Sequence, residues 1–419
     1  MKLDSRQTEM LEGRFGWPSQ IAMRMLTAVG SACDAEELIP VGSVHLGISG
    51  MSMAEPGMRF LEKLVAHEAA FVVPTTLNIL SMDRDAVGTV PAIRADEDVQ
   101  LRIARASETL GAKPTYTCNP FLLGVAPRRN ESVAWNESAT APYINSVLGA
   151  RTNREGATAL ASALTGYTPN YGMHVPANRV GAALIEVTVP VSGADDFNVL
   201  GGAIARVAGA RIPVVEGIQR PPSLDEWTAF CAAFAAISPL AMFHIVGITP
   251  EAPTRADATG GAAPDRPPIR IGAAELAHER ARYETAREEA LDVIAIGCPH
   301  ASLDQVTAIA DMIGSRSVDP KVSFVVQVNR DCAESANQTG LAQRLAAAGV
   351  TLLSDSCVHV AYDQIPEGRT LATNSLKIAY LTASHNVNVH FGTLDDCVRA
   401  AVAGRWLSSP AKMPELARR

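Results

Sequence analysis

Three cysteines, Cys118, Cys298 and Cys357, are the residues of this chain best suited to chemistry. They lie far apart in the sequence, but each stands in a short segment with Pro, Ser or Asp: PTYTCNP, AIGCPH and LLSDSC. Cysteine is usually buried inside helices or strands as a small apolar residue. Three thiols at element ends can instead converge on one pocket. There, three thiolates could hold an iron–sulfur cluster and leave one iron open to a substrate.

The same cysteines also allow a purely structural interpretation. The sequence contains no CxxC pair and no zinc-ribbon spacing, so spacing alone does not define a metal site. Cys298 and Cys357 could be buried thiols at strand ends, and the interpretation of Cys118 is equally open. The remaining cysteines are expected to be structural, two of them within helical patterns: Cys33, Cys231, Cys332 and Cys397.

Polar side chains in other segments could bind a small anionic substrate. The segment ARTNREG places Arg151 and Arg154 on either side of Asn153 in a glycine-containing turn. Two guanidinium groups in such a turn can grip a carboxylate or a phosphate, although solvated arginines at a helix end are the alternative. Further candidates lie in loops or beside predicted strands: His45, Ser49, Thr75, Asn78, Ser138, Asn374, Ser375 and Lys377. A lone histidine or lysine in such a loop is often structural or solvated.

The C-terminal part of the chain has the clearest pattern of secondary structure. Residues 291–355 predict strand–helix–strand–helix–strand, which is typical of a parallel sheet with right-handed crossovers. Ser302 and Gln305 have the spacing of a helix-starting capping box. Gly314 and Gly349 suit the ends of the two helices.

This predicted sheet would bring two of the cysteines together. Cys298 directly follows the first strand, and Cys357 closely follows the third. Ligands of open α/β sheets gather at the carboxyl ends of the strands. We therefore expect both thiols at the same edge of one sheet.

The rest of the chain predicts an α/β protein of several units. Helical periodicity occupies the first ~30 residues and residues 95–110, and a buried strand is expected to stop at Pro74. A Pro- and Gly-rich stretch at 251–268 has the composition of a linker. We predict an N-terminal α/β portion over 1–285, which that linker could divide, and a C-terminal parallel portion over 286–419.

Composition excludes several classes of protein. With 419 residues, 47% apolar and 19% charged, the chain is expected to fold into compact domains. A net charge of −8 and the lack of a basic run argue against nucleic-acid binding. The sequence shows no secretory signal pattern and no membrane-spanning stretch. Seven widely spread cysteines do not suggest a disulfide framework, so a reducing compartment, the cytoplasm, is expected. Serine-hydrolase and phosphate-loop motifs are absent.

Taken together, several unusual segments resemble the large, catalytic component of the aconitase X family. These segments are PTYTCNPFLLG (114–124), NSVLGARTNREG (145–156), FHIVGITPEAP (243–253), AIGCPHASLDQV (295–306), SDSCV (354–358) and TNSLK (373–377). The resemblance implies an aconitase-like, multidomain α/β fold with the active site between domains. It also implies an iron–sulfur cluster, [4Fe–4S] or [2Fe–2S], held by Cys118, Cys298 and Cys357.

The resemblance further implies a hydro-lyase that eliminates water from a small hydroxylated carboxylate. Cis-3-hydroxy-L-proline, converted to a pyrroline carboxylate, is the favoured substrate, and 5-phosphomevalonate is the alternative. A cluster-free binding or scaffold subunit also stays open. Family members carry a swivelling domain, fused or as a separate subunit, that closes over the cluster and supplies a serine. Residues 1–419 contain no such pattern, so a separate small subunit is expected as the partner.

The chemistry of dehydration assigns roles to the polar candidates. A base must remove the proton beside the carboxylate while cations stabilise the developing enediolate. Lys377 and Ser375 are expected to be catalytic. Arg151 and Arg154 would share the charge stabilisation with Lys377. The residues expected to orient the substrate are His45, Asn153, Asn374 and Ser375. The base itself would be the partner subunit's serine.

Overall fold

A computed structural model describes residues 1–85, 97–154, 156–262, 266–358, 368–382, 385 and 387–407. The helices are α1 (Ser5–Leu11), α2 (Trp17–Ala32), α3 (Gly50–Ala66), α4 (Glu97–Thr109), α5 (Thr140–Pro142), α6 (Ala157–Thr165), α7 (Gly193–Ala208), α8 (Leu224–Ile237), α9 (Arg255–Ala258), α10 (Ala273–Ala281), α11 (Leu303–Ile313), α12 (Arg330–Gln338), α13 (Leu341–Ala347), α14 (Leu376–Thr382) and α15 (Leu394–Ala403). The strands are β1 (Leu38–Pro40), β2 (Val44–Leu46), β3 (Thr75–Leu77), β4 (Ala134–Trp135), β5 (Tyr167–Pro169), β6 (Ala183–Val187), β7 (Pro213–Glu216), β8 (His244–Ile245), β9 (Ile269–Ile271), β10 (Val293–Ala301), β11 (Ser323–Val328), β12 (Val350–Leu353), β13 (Thr370–Thr373) and β14 (Asn388–Phe391).

Three parallel sheets follow one another along the chain, which confirms the predicted α/β class. The first sheet has the order β3–β2–β4. The second has the order β8–β7–β6–β9, and the third β12–β11–β10–β13–β14. An antiparallel pair, β1 with β5, lies beside the first sheet. No helix in the described residues is long and apolar enough to cross a membrane.

The first sheet corrects the predicted position of one strand. The strand expected to stop at Pro74 instead begins after it, at Thr75. The Pro74 carbonyl accepts the Val44 N–H at 2.9 Å, and Val44 then lies opposite Thr75 in the parallel ladder. Proline lacks the N–H that a ladder needs and is placed at a strand start. The apolar residues before it, from Phe71 on, lead into the sheet without joining it.

The second sheet changes the interpretation of residues 251–268. This segment connects β8 to β9, and it contains α9, which starts with a capping box at Thr254. β9 pairs in parallel with β6, through Ile185 opposite Ile269. The segment therefore connects two strands of one sheet. Gly260 and Gly261, with φ +59° and +77°, lie in the turn that follows α9.

The third sheet is the strand–helix–strand unit that the sequence predicts, extended by β13 and β14. The predicted capping box is present, because Ser302 Oγ accepts the Gln305 N–H and Gln305 Oε1 accepts the Ser302 N–H, both at 3.2 Å. The helix predicted up to Gly349 is in fact two helices, α12 and α13. Gly340 between them has φ +76°, a left-handed conformation that interrupts a helix.

A buried carboxylate fastens the first sheet to the third. Asp355, which is 0% exposed, follows β12 and accepts two bonds from Arg330, at 2.8 and 2.5 Å. It also accepts a bond from Arg84 at 3.1 Å, and its carbonyl accepts the Leu80 N–H at 2.7 Å. Leu80 and Arg84 lie in the segment after β3. The loop that carries Cys357 is thereby fixed to the N-terminal part of the chain.

Candidate active site

The carboxyl ends of two sheets open onto one cavity of about 580 Å³. In the first sheet, β2 leads to Ser49, β3 to Asn78, and β4 to Glu137 and Ser138. In the third sheet, the cavity is reached from β10, from the loop after β12, and from the start of α14. The site therefore lies between two parallel sheets, where side chains after many strands can meet.

All three candidate cysteines are buried and line this cavity. Cys298 lies near the end of β10, and Cys357 follows β12, so both occupy the same sheet edge as the strand pattern predicts. Their Sγ atoms are 3.9 Å apart. Cys118 comes from an extended segment beside β3, where the Thr117 N–H donates to the Leu77 carbonyl. None of the chain's seven cysteines forms a disulfide.

Two of the three sulfurs are close enough to bind a common metal group. Within the described ranges, no three His, Cys, Asp or Glu side chains converge as one metal ion would require. Two thiolates on one tetrahedral metal, with metal–sulfur bonds of about 2.3 Å, lie about 3.8 Å apart. The Cys298–Cys357 separation matches that value, and Cys118 Sγ accepts the His300 N–H at 3.3 Å. Such N–H···S bonds are found at iron–sulfur centres.

Burial makes the protein's own thiols poor acids. It raises the pKa of Cys118, and the neighbouring charge of Lys377 only partly opposes the effect. Contact with Cys357, together with burial, raises the pKa of Cys298 well above its ordinary value. A group that binds here must therefore displace the protons, which is how metal binding couples to thiol ionisation.

A buried ion pair stands beside the sulfurs. Lys377 Nζ donates to Glu137 Oε1 at 2.8 Å, and Ser138 Oγ is 3.4 Å from the same ammonium. Burial alone would raise the pKa of Glu137, but Lys377 and the Ala139 N–H hold it below its ordinary 4.5. Burial alone would lower the pKa of Lys377, but Glu137 raises it above 10.5. Both groups are therefore charged at neutral pH.

Sequence reasoning identified Lys377 but missed Glu137. The available signal was the run AWNES, in which polar residues directly follow the buried residues of β4. β4 has only two residues, too few to show a period of two. Glu137 also lies 240 positions from Lys377, so no local pattern links them.

The predicted site residues divide into two sets. Those that line the cavity are Ser49, Asn78, Cys118, Ser138, Cys298, Cys357 and Lys377. Those placed elsewhere are His45, Thr75, Arg151, Asn153, Arg154, Asn374 and Ser375. Asn78 is notable because its Oδ1 is buried without a hydrogen-bond partner among the described residues.

Two of the residues placed elsewhere support the first sheet. Thr75 Oγ1 donates to the Val73 carbonyl at 2.9 Å. His45, on β2, forms a 2.8 Å bond between Nδ1 and Thr76 Oγ1, and burial lowers its pKa to about 4. The neutral imidazole also packs against Trp135 of β4, with ring centroids 5.5 Å apart. His45 therefore contacts both strands that flank β2.

The ARTNREG residues hold backbone in this structure. Arg151 donates to the His174 carbonyl at 3.2 Å. Asn153 bridges Tyr171 and Met173 through its amide. Arg154 donates to the Ser238 carbonyl at 2.9 Å, and burial lowers its pKa while the field of Glu137 opposes the shift.

Asn374 and Ser375 line a separate pocket of about 40 Å³ that Cys298 also borders. Ser375 Oγ donates to the Cys298 carbonyl at 2.5 Å and also accepts the Ile378 N–H at 3.3 Å. The hydroxyl thus links the start of α14 to the backbone of Cys298. Asn374 donates to Asp195 at 3.4 Å.

Gly297 sets the position of Cys298, and its replacement gives a testable prediction. Its φ is +103°, and a Cβ there would overlap the Gln327 carbonyl of β11. We expect Gly297→Ala to destabilise the protein by about 2 kcal/mol or more and to displace the thiol. Gly111→Ala is the matched control, because Gly111 has the same φ of +103° with no atom within 4 Å of the added Cβ. Equal urea midpoints for the two variants would contradict the prediction.

Comparisons with known proteins identify the family. Models of the aconitase X first, second and third domains match residues 1–177, 181–281 and 291–403. The chain therefore belongs to the aconitase X family, as its sequence motifs suggest. The family places it among the dehydratases, enzymes of the hydro-lyase class.

Individual relatives agree with this assignment. The chain is 35% identical to cis-3-hydroxy-L-proline dehydratase of Pseudomonas aeruginosa, over 99% of this chain and 71% of that protein. It is 34% identical to the phosphomevalonate dehydratase large subunit of Methanothermobacter thermautotrophicus, over 90% of this chain and 92% of that one. The crystal structure of Thermococcus kodakaraensis aconitase X in its holo-form superposes with a TM-score of 0.84 and 28% identity. That match covers 96% of this chain and 100% of the other.

Proposed function

We propose that this chain is the large subunit of an iron–sulfur hydro-lyase acting on cis-3-hydroxy-L-proline. The observation that carries the proposal is the charged Lys377–Glu137 pair in the cavity that the three cysteines line. A cytoplasmic location accords with thiols that form no disulfide.

The three cysteines would hold the cluster. When bound, it would supply an open iron that acts as a Lewis acid on the departing hydroxyl. Cys298 and Cys357, with sulfurs 3.9 Å apart, would hold it together with Cys118. Ser375 supports this arrangement by holding the Cys298 carbonyl at 2.5 Å. Ser375 is therefore proposed to position a ligand rather than to contact substrate.

The charged pair suits a zwitterionic amino acid. Lys377 can donate to the substrate carboxylate and stabilise the enediolate that forms when the adjacent proton leaves. Glu137 can accept from the substrate ammonium, and so can Oδ1 of Asn78, for which the described part of the chain supplies no hydrogen-bond partner. The cavity thus offers one cation for the substrate carboxylate and one anion for its ammonium. Ser49 and Ser138 also line it.

The same lining disfavours 5-phosphomevalonate. That molecule carries a carboxylate and a phosphate but no ammonium. Among the described residues, Lys377 is the one cation that lines the cavity, and its charge is already opposed by Glu137. Phosphate sites usually use arginines or several donors. Arg151 and Arg154 donate to carbonyls outside the cavity lining.

A small swivel-domain subunit is the proposed partner. The Methanothermobacter relative is named a large subunit, and this chain matches 92% of it. In the described part of the chain, the cavity lining has no base close to the sulfurs other than Glu137, which Lys377 holds ionised and paired. A serine of the partner subunit would remove the proton beside the carboxylate.

The test is a substrate comparison on the anaerobically purified chain assayed with its small subunit. We expect turnover of cis-3-hydroxy-L-proline and no turnover of 5-phosphomevalonate. Trans-4-hydroxy-L-proline is the control, because its hydroxyl is not on the carbon next to the acidic C–H. Turnover of 5-phosphomevalonate alone would overturn the substrate assignment. Absence of iron and sulfide after anaerobic reconstitution would instead favour a cluster-free binding subunit.

A further inference from the structure

His300 lies at the centre of the three cysteine segments, around Cys118, Cys298 and Cys357, and does not itself line the cavity. It is 1% exposed and two residues after Cys298. Its ring Nδ1 is 3.1 Å from Thr117 Oγ1, next to Cys118. Its Nε2 is 2.9 Å from the carbonyl of Ser356, next to Cys357. Its own N–H donates to Cys118 Sγ at 3.3 Å, as described above.

The partners of the ring fix its protonation. A backbone carbonyl can only accept, so Nε2 must carry the proton that it donates to Ser356. Nδ1 is then an acceptor for the Thr117 hydroxyl. Both ring nitrogens are therefore bonded, and Asn119 Nδ2 donates to the His300 carbonyl at 3.3 Å.

We propose that His300 is a positioning residue that joins the three cysteine segments and sets the spacing of their sulfurs. Without the ring, the described contacts that remain on the Cys118 segment come from β3 and the His300 backbone. Those that remain on the Cys357 segment include the bonds made by Asp83 and Asp355. Because the residue supports ligands without binding metal, its loss should weaken cluster retention more than it weakens folding. Outer partners of this kind typically contribute 10- to 100-fold to metal affinity. The expected effect on cluster retention rests on the proposed function. The expected effect on the mobility of the two cysteine segments does not.

The first experiment addresses the structural consequence in the iron-free chain. Hydrogen exchange is measured for residues 113–119 and 354–358 in the wild type, in His300→Ala and in His244→Ala. His244 is the matched control, since it is also a buried histidine whose Nε2 lies 2.7 Å from a carbonyl, that of Arg179. We expect His300→Ala to speed exchange in both segments by roughly tenfold or more, and His244→Ala to leave them unchanged. Unchanged exchange in His300→Ala would overturn the proposal whether or not the chain binds iron.

The second experiment addresses the cluster. After anaerobic reconstitution, iron, sulfide, visible absorbance and the spectrum of the reduced cluster are recorded. We expect His300→Ala to lose its iron at least ten times faster than the wild type on dilution, with an altered spectrum. His300→Gln should recover part of the retention, because its amide can donate to Ser356 and accept from Thr117. Wild-type retention and spectrum in His300→Ala would refute the role. A wild type that takes up no cluster would refute the proposed function. The hydrogen-exchange experiment would still decide whether His300 joins the cysteine segments.

Discussion

Replacing Cys298 with alanine is expected to remove most of the enzymatic activity without disrupting the fold. The thiol is buried in the cavity wall and lies 3.9 Å from the sulfur of Cys357, so its loss removes a proposed cluster ligand without exposing new surface. An open metal acting on the leaving hydroxyl supplies several kcal/mol of transition-state stabilisation. About 4 kcal/mol corresponds to roughly a thousandfold in rate. We therefore expect activity to fall by about that factor or more, together with the visible absorbance.

Cys231→Ala is the control for this experiment. Cys231 is also buried, but it lies on α8 in the core of the second sheet and does not line the cavity. Its replacement should keep iron content and activity close to those of the wild type. Full activity in Cys298→Ala would exclude the cluster-based reaction. Equal loss in both variants would point to a general loss of folding.

Lys377→Met is expected to have the largest effect on stability. It leaves the Glu137 carboxylate buried without its ammonium partner, and removing one member of a buried pair typically costs about 3–5 kcal/mol. The double variant Lys377→Met with Glu137→Gln removes both charges and should recover most of that free energy of unfolding. Activity should not recover, because the double variant lacks the cation for the substrate carboxylate. Urea unfolding and turnover measured on all three proteins separate the two roles.

The free energy of unfolding should depend on pH through the ionisation of Glu137 and Lys377. Glu137 has a lowered pKa, so its contribution is complete above 4.5 and is lost as pH falls through the folded value. Lys377 has a raised pKa, so its contribution is complete below 10.5 and is lost as pH rises beyond that. The difference in free energy of unfolding between wild type and double variant should be constant from about pH 5 to 10. A change within this range would show that another group titrates with the pair.

The sequence predicts those parts of the molecule that local signals determine. The third sheet is predictable because each of its central strands is an apolar run flanked by helices, and the start at Ser302 is marked by its own capping box. The position of Cys298 and Cys357 at the same edge of this sheet then follows from its parallel topology alone. The helix break at Gly340 was not predicted, since one glycine in a helical pattern is often tolerated.

What sequence reasoning missed depends on contacts between distant segments. Glu137 follows a two-residue strand and is recognisable only through Lys377. Arg151 and Asn153 have the composition of an anion site, yet their bonds go to the backbone of 171–174. Whether a polar turn faces a cavity or supports a neighbouring loop is decided by packing, which the local sequence does not encode.

The fastening of the Cys357 loop by Asp355 has a consequence for biosynthesis. Arg84 and Leu80 belong to the first part of the chain to be synthesised, whereas Arg330 and Cys357 emerge from the ribosome much later. A nascent chain that has folded only its first sheet presents Cys118 alone, without the other two sulfurs. If the three cysteines hold a cluster as proposed, its loading would wait until translation has passed the third sheet and the first and third sheets have docked.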